Sequence, residues 1–194
     1  RDGKTAGEYA PIFFKQAKYT LLDQNTFWLC EKPDSVGMVG WDAALTRIAT
    51  WVKLQDKKTG QILMVVNTHF DHIGTEARRN SALLIIEKIK EIVGTSPAIL
   101  TGDFNVSEDW DAYKTITNNE FILKDAHKVA GKRTGVDFTY HNFGKIPAEK
   151  CEKIDFIFVT PQIRVISSYI PFSQLNDTLF LSDHNPEIVE LEIK

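Results

Sequence analysis

The chain has 194 residues, 43% hydrophobic and 25% charged, with 12 Phe, 4 Trp and a net charge of −3. That is enough apolar material for one domain with a real core, and too little positive charge for a protein that grips nucleic acid over its whole surface. No run of about 18 apolar residues is present to span a membrane, and Cys30 and Cys151, far apart and without CxxC spacing, are expected as buried thiols rather than a metal cluster or a long-range disulfide.

Residues 1–8, Arg-Asp-Gly-Lys-Thr-Ala-Gly-Glu, read as a polar loop without the apolar core of a signal peptide. The compartment stays open: cytoplasmic, or exported or periplasmic with any signal outside this sequence. Three runs of strand-favouring residues follow, Ile12–Phe14, Tyr19–Leu22 and Thr26–Cys30. Residues 32–40 are rich in breakers and end at Trp41-Asp42, read as a core aromatic and a turn residue. Leu45–Leu54 predicts a strand with Arg47, Ala49, Trp51 and Lys53 on one face and Ile48, Thr50, Val52 and Leu54 on the other. A hairpin turn over residues 56–60 leads into a strand from Ile62 that runs on into Asn67-Thr68-His69-Phe70-Asp71-His72. Asn67 and His69 then share a face at a strand end.

Thr75–Val93 predicts a helix, with a stripe of Ala82, Ile85, Ile86, Ile89, Ile92 and Val93, Thr75 as its cap and Gly94 as its stop. Arg78 and Arg79 lie in its first turn, against the dipole, and are either solvated or partners of an anion. The run Pro97-Ala98-Ile99-Leu100-Thr101-Gly102-Asp103-Phe104-Asn105 predicts a buried strand ending with Asp103 and Asn105 on one face. Ser107-Glu108-Asp109 is expected to cap a second helix through about Thr117. Residues 126–153 are mixed and polar, with one short strand candidate, Phe138–Tyr140. Strands are expected over 154–159, opening on Ile154-Asp155, over 164–170, and over 188–193 after Leu181-Ser182-Asp183-His184-Asn185-Pro186. Strands outnumber helices and come partly as hairpins, so the fold class is α+β, an α/β layered domain. No Gly-x-Gly-x-x-Gly follows a strand, which excludes a dinucleotide fold.

Four polar clusters stand at strand ends: Asn67/His69, Asp103/Asn105, Asp155 and Asp183/His184. Each alone is explained as a turn former; together, flanked by apolar strand, they point to chemistry. Carboxylates suit a hard divalent cation, His beside Asp suits proton transfer, and amide or imidazole donors suit the charge of a phosphoryl transition state.

The runs Asn67–His72, Thr101–Asn105, Ile154–Phe156 and Ser182–Pro186 resemble the endonuclease/exonuclease/phosphatase superfamily, whose fold is DNase I-like. The 41–51 and 67–78 stretches look most like its bacterial members. The resemblance implies a single domain over residues 1–194, a two-sheet β-sandwich flanked by helices. It implies a hydrolase dependent on Mg²⁺ or Mn²⁺, attacking a phosphodiester or phosphomonoester in line with water; a non-catalytic relic or binding module on the same fold is the alternative. By motif, His184 is the expected general base and Asp155 its orienting partner, with Asp103 on the water. Asn105 and His69 are expected on phosphate oxygens and Asp183 on the metal. Arg47, Asn67, His72 and Arg78 are the substrate-binding candidates, and Asp71 is a weaker one. One departure stands out: family members begin with an Asn-bearing strand and a Gln-Glu pair carrying the main metal ligand, and neither motif is present. Glu8 and Glu31 lie in the wrong context to replace it, so an N-terminally truncated, weakly active or inactive monomer is expected. Nucleic acid is not indicated by charge, and the ester itself is not legible.

Overall fold

Residues 1–118, 123–176 and 179–193 are described by the computed structural model. The strands β1 (Tyr19–Trp28), β2 (Ile48–Asp56) and β3 (Ile62–His69) form an antiparallel meander. Helix α1 (Thr75–Val93) then crosses over to β4 (Ala98–Asp103), which pairs parallel to β3. Helix α2 (Asp111–Thr117), β5 (Lys124–Asp125), α3 (Ala126–Val129) and β6 (Lys132–Gly135) follow. A 3₁₀ turn over Ala148–Lys150 leads to β7 (Asp155–Val159), β8 (Ile163–Ile170), β9 (Gln174–Asn176), β10 (Leu179–Phe180) and β11 (Ile188–Ile193). Among the described residues one sheet runs β1-β2-β3-β4-β7-β5 and a second runs β11-β8-β6, with β9 and β10 as a small hairpin. No described helix is long and apolar enough to cross a membrane.

Two apolar layers give this order its stability. One face of the large sheet, through Met64, Val66, Leu100, Phe156 and Phe158, packs on Ala82, Ile85, Ile86, Ile89 and Val93 of α1. That is the stripe the helical spacing predicts, and full burial of such a side chain stabilises by about 1.5–3 kcal/mol. The other face, through Leu63, Val65, Ile99, Ile157 and Val159, packs on Ile163, Val165, Val189, Leu191 and Ile193 of the second sheet. Helices, large sheet and small sheet are therefore stacked, the layered arrangement expected of a DNase I-like sandwich.

Several local expectations are corrected. Among the described residues Ile12–Phe14 forms no strand, and Phe13 is 91% exposed. The two runs between Tyr19 and Cys30 are one continuous strand that pairs along nearly all of β2. Thr75 does not cap α1. The N-cap position is Gly74, which has no side chain to offer, and the orphan N–H groups of Glu76 and Ala77 donate instead to the Asp42 carboxylate at 3.2 and 2.7 Å. Asp42 is thus a cap delivered across the chain, beyond a turn residue's role. The Ser107 hydroxyl bonds Asp109 rather than a helix N–H, and α2 starts only at Asp111. Residues 126–135 hold α3 and β6, with Asp125 capping α3 through the N–H groups of His127 and Lys128. Phe138–Tyr140 is reduced to bridges at Tyr140. Both cysteines are free thiols, Cys30 buried and Cys151 half-buried.

Candidate active site

The face of the large sheet that meets the small one turns from apolar to polar within one strand end. Beyond Val65 and Ile99 comes the pair Asn67↔Thr101, with the Thr101 hydroxyl donating to Asn67 Oδ1 at 3.0 Å. The next row is His69↔Asp103↔Asp155, register partners on three adjacent strands. A buried phenylalanine follows each of these residues: Phe70, Phe104 and Phe156. Alternation sends those rings to the helix side, where Phe104 meets Phe70 and Phe156 edge-on at centroid distances of 4.9 and 6.0 Å. The polar row is therefore anchored from behind by core packing. Gly102 makes its close spacing possible, since a Cβ there would collide with the Thr68 carbonyl of β3.

His184 reaches the row from the loop before β11. Its Nδ1–H donates to Asp155 Oδ2 at 2.7 Å, and its Nε2 lies 4.0 Å from Asp103 Oδ2. The pair is clamped by the segment around Thr139. The buried Thr139 hydroxyl accepts from the N–H groups of Ile154 and Asp155, each at 3.0 Å. Its carbonyl accepts from the Asn185 N–H at 2.6 Å, and the Tyr140 ring leans on the His184 imidazole at 5.0 Å. Lys153 closes the floor, donating to the Asp155 carbonyl and pairing with Glu187, both at 2.9 Å.

The electrostatics follow from this packing. Burial, then the charge of Asp155, pushes the Asp103 carboxyl up to about 6, against the Asn105 N–H that donates to its Oδ1 at 2.9 Å. For His184 burial works against the charged ring, yet the Asp155 hydrogen bond and charge, with Asp103 and Asp183 behind them, raise its pKa overall. One ligand atom each of Asp103, Asp155 and His184 falls within 4.8 Å of the others, a group able to hold a metal ion. These three and His69, Asn67 and Tyr9 line a cavity of about 560 Å³.

His69 belongs to a second network. Its Nε2 is 3.4 Å from Asp103 Oδ2, and its Nδ1 is 3.1 Å from Glu8 Oε2. Burial, then the guanidiniums of Arg47 and Arg1, lowers its pKa to about 3. A neutral ring carries a single N–H, so of its two flanking carboxylates, Glu8 at Nδ1 and Asp103 at Nε2, it can donate to only one at a time. Arg47 is buried, with Nη2 against His72 Nδ1 at 3.1 Å and Nε near Asp71 at 3.6 Å.

The expected residues thus fall into two groups. His184, Asp155, Asp103, His69 and Asn67 meet in the cavity. Asn105, two residues past Asp103, is not among the residues lining it; it takes a left-handed conformation (φ 49°) that asparagine tolerates, its amide donating to the Phe70 carbonyl at 3.0 Å. Arg78 lies elsewhere: it is buried, donates to the Asp71 carbonyl at 3.0 Å and stacks on Trp110 at 4.8 Å. Asp71 is a buried loop clasp that accepts from Leu45, Ile73 and Gly74. Asp183 precedes His184 but is outside the three-residue group, its Oδ1 3.3 Å from the Ser182 hydroxyl. Sequence reasoning, which considered Glu8 only as a replacement metal ligand, missed its contact with His69, and it missed Thr139, whose role is made by contacts 15 to 46 residues away.

The profile of the Endonuclease/Exonuclease/phosphatase family matches residues 11–184. A crystal structure of an endonuclease/exonuclease/phosphatase from Bacteroides vulgatus is 65% identical with a TM-score of 0.96, covering 100% of this chain and 73% of that one. A mannosyl-6-phosphatase from Bacteroides thetaiotaomicron is 36% identical with a TM-score of 0.90, covering 99% of this chain and 74% of that one. An uncharacterized protein of Acanthamoeba polyphaga mimivirus is 30% identical over 175 residues; the match covers 85% of this chain and only 63% of that protein's length.

Proposed function

Because the chain belongs to the endonuclease/exonuclease/phosphatase family, we propose that it is a metal-dependent phosphoesterase that hydrolyses its ester by in-line attack of water. The observation that carries this reading is the His184–Asp155 hydrogen bond of 2.7 Å standing in front of Asp103. Asp155 holds the imidazole in the tautomer whose Nε2 is free, and Nε2 takes the proton from the attacking water. Asp103, the nearest carboxylate to Nε2, orients that water. His69 and Asn105 face the non-bridging oxygens.

The donor set suits a hard divalent ion. Asp103 and the Asp155 oxygen not engaged by His184 would hold it, with Asp183 as the further carboxylate on the adjoining loop. Bound Mg²⁺ or Mn²⁺ would neutralise charge on the phosphoryl group and ease ionisation of the water. The mannosyl-6-phosphatase likeness, at 36% identity, supports a sugar phosphomonoester among the possible esters.

The test is hydrolysis of p-nitrophenyl phosphate and bis-p-nitrophenyl phosphate with Mg²⁺ or Mn²⁺. His184→Ala is expected to lower kcat by about 10²–10⁴-fold, the usual worth of a general base, and excess EDTA to remove turnover. Wild-type protein inert with both metals would instead favour a binding module on this fold, and an unaffected His184→Ala would remove the proposed base.

A further inference from the structure

Glu8 lies in a loop outside every strand and helix, yet three donors converge on it. Its Oε2 is shared by the Arg1 guanidinium, by Arg47 at 3.5 Å and by His69 Nδ1 at 3.1 Å. Both arginines are buried, while the Glu8 side chain is 62% exposed. Among the described residues no hydrogen bond falls on its other oxygen, Oε1. One hydrogen bond, from Arg47, and the close approach of Arg1 and His69 hold the side chain on Oε2 and leave acceptor capacity on the carboxylate. Little side-chain entropy is then lost when Oε1 accepts from a ligand. Tyr9, the next residue, is 58% exposed and lines the cavity that contains Asp103, Asp155 and His184. Its hydroxyl is tied back to the Lys4 carbonyl at 3.2 Å, which holds the ring at the rim.

A fixed carboxylate with a free oxygen, beside an exposed aromatic ring and within one imidazole of the phosphate site, is a receptor for hydroxyl groups. It is a poor neighbour for additional phosphates, because an exposed negative charge repels them. We propose that Glu8 selects the alcohol half of the substrate, its Oε1 accepting a hydroxyl proton from a polyhydroxylated phosphomonoester of the sugar-phosphate class, with Tyr9 flanking the sugar. This rests on the phosphoesterase reading of the same cavity. It goes further by making one loop residue responsible for discrimination between sugar and hydroxyl-free esters.

Calorimetric titration in EDTA, where no turnover occurs, tests it with a hexose 6-phosphate and with phenyl phosphate. The wild-type chain is expected to bind the hexose phosphate roughly tenfold more tightly, the worth of one good hydrogen bond to a charged group. In Glu8→Ala that ratio is expected to fall to about one, and Glu8→Gln, which keeps the shape without the charge, to fall between. Thermal melts identify any variant that is not folded, and Glu8→Gln carries the test if Glu8→Ala is not. A wild-type ratio near one, or a ratio that survives in the folded variants, overturns the proposal. Turnover with Mn²⁺ is read separately: a persistent, Glu8-dependent ratio without hydrolysis of either ester sinks the phosphoesterase reading and leaves the Glu8 assignment standing.

Discussion

At the scale of single residues, the site is a contest between burial and charge that the Asp155–His184 pair decides. Burial disfavours a charged imidazole, but a carboxylate bonded at 2.7 Å outweighs it and raises the His184 pKa. A base works only when deprotonated, so kcat/KM should rise with pH through a value above the ordinary histidine pKa of about 6.5. Asp155→Asn removes the charge that holds the proton. Its acidic limb should therefore shift to lower pH while the plateau falls, since the tautomer is no longer fixed. A pH–rate profile of the two proteins decides the point: an unmoved limb would mean that another group titrates.

At the scale of elements, the clamp around Thr139 is the most economical structural device in the molecule. One hydroxyl takes two buried N–H groups at the start of β7, and one carbonyl takes the loop that carries His184. Thr139→Val keeps the shape and strands those two donors, each costing about 1–3 kcal/mol when left unsatisfied. Urea unfolding should show a loss of roughly 2–6 kcal/mol for Thr139→Val and near wild-type stability for Thr139→Ser. Equal midpoints for all three would show that the clamp contributes nothing. This is also where legibility ended. His69 and Asp103 at strand ends and Asp155 at a strand start could be read directly, because a strand repeats every two residues and an apolar run flanks each of them. The α1 stripe was legible for the same reason at helical period. Asp42 on the start of α1, Glu8 on His69 and Thr139 on β7 are long-range hydrogen bonds made by residues in loops. No local period marks them, so turn propensity gave the wrong reading for Asp42, and the contact of Glu8 with His69 had no signal in the sequence.

At the scale of the whole molecule, a ligand that binds only the folded chain must raise its stability. Mn²⁺ at about one hundred times its Kd should add about 2.7 kcal/mol, roughly 5–10 °C in Tm for a domain of this size. Asp103→Asn, lacking one of the proposed ligands, should show little of that shift. Differential scanning calorimetry with and without the metal reads it, and a wild-type Tm indifferent to Mn²⁺ would argue against the metal group. The two apolar layers on either side of the large sheet hold the site's frame independently of any ion.

The row His69–Asp103–Asp155 has a further consequence for how such a protein can change over generations. Its three members are spaced by strand pairing and backed by aromatic packing, so their separation is inherited with the sheet. Glu8 and Tyr9, in contrast, stand in a loop whose length and sequence can drift without disturbing one ladder bond. On the roles proposed above, lineages sharing this framework would exchange one preferred alcohol for another through a few loop substitutions, while the three-strand row passes on unaltered.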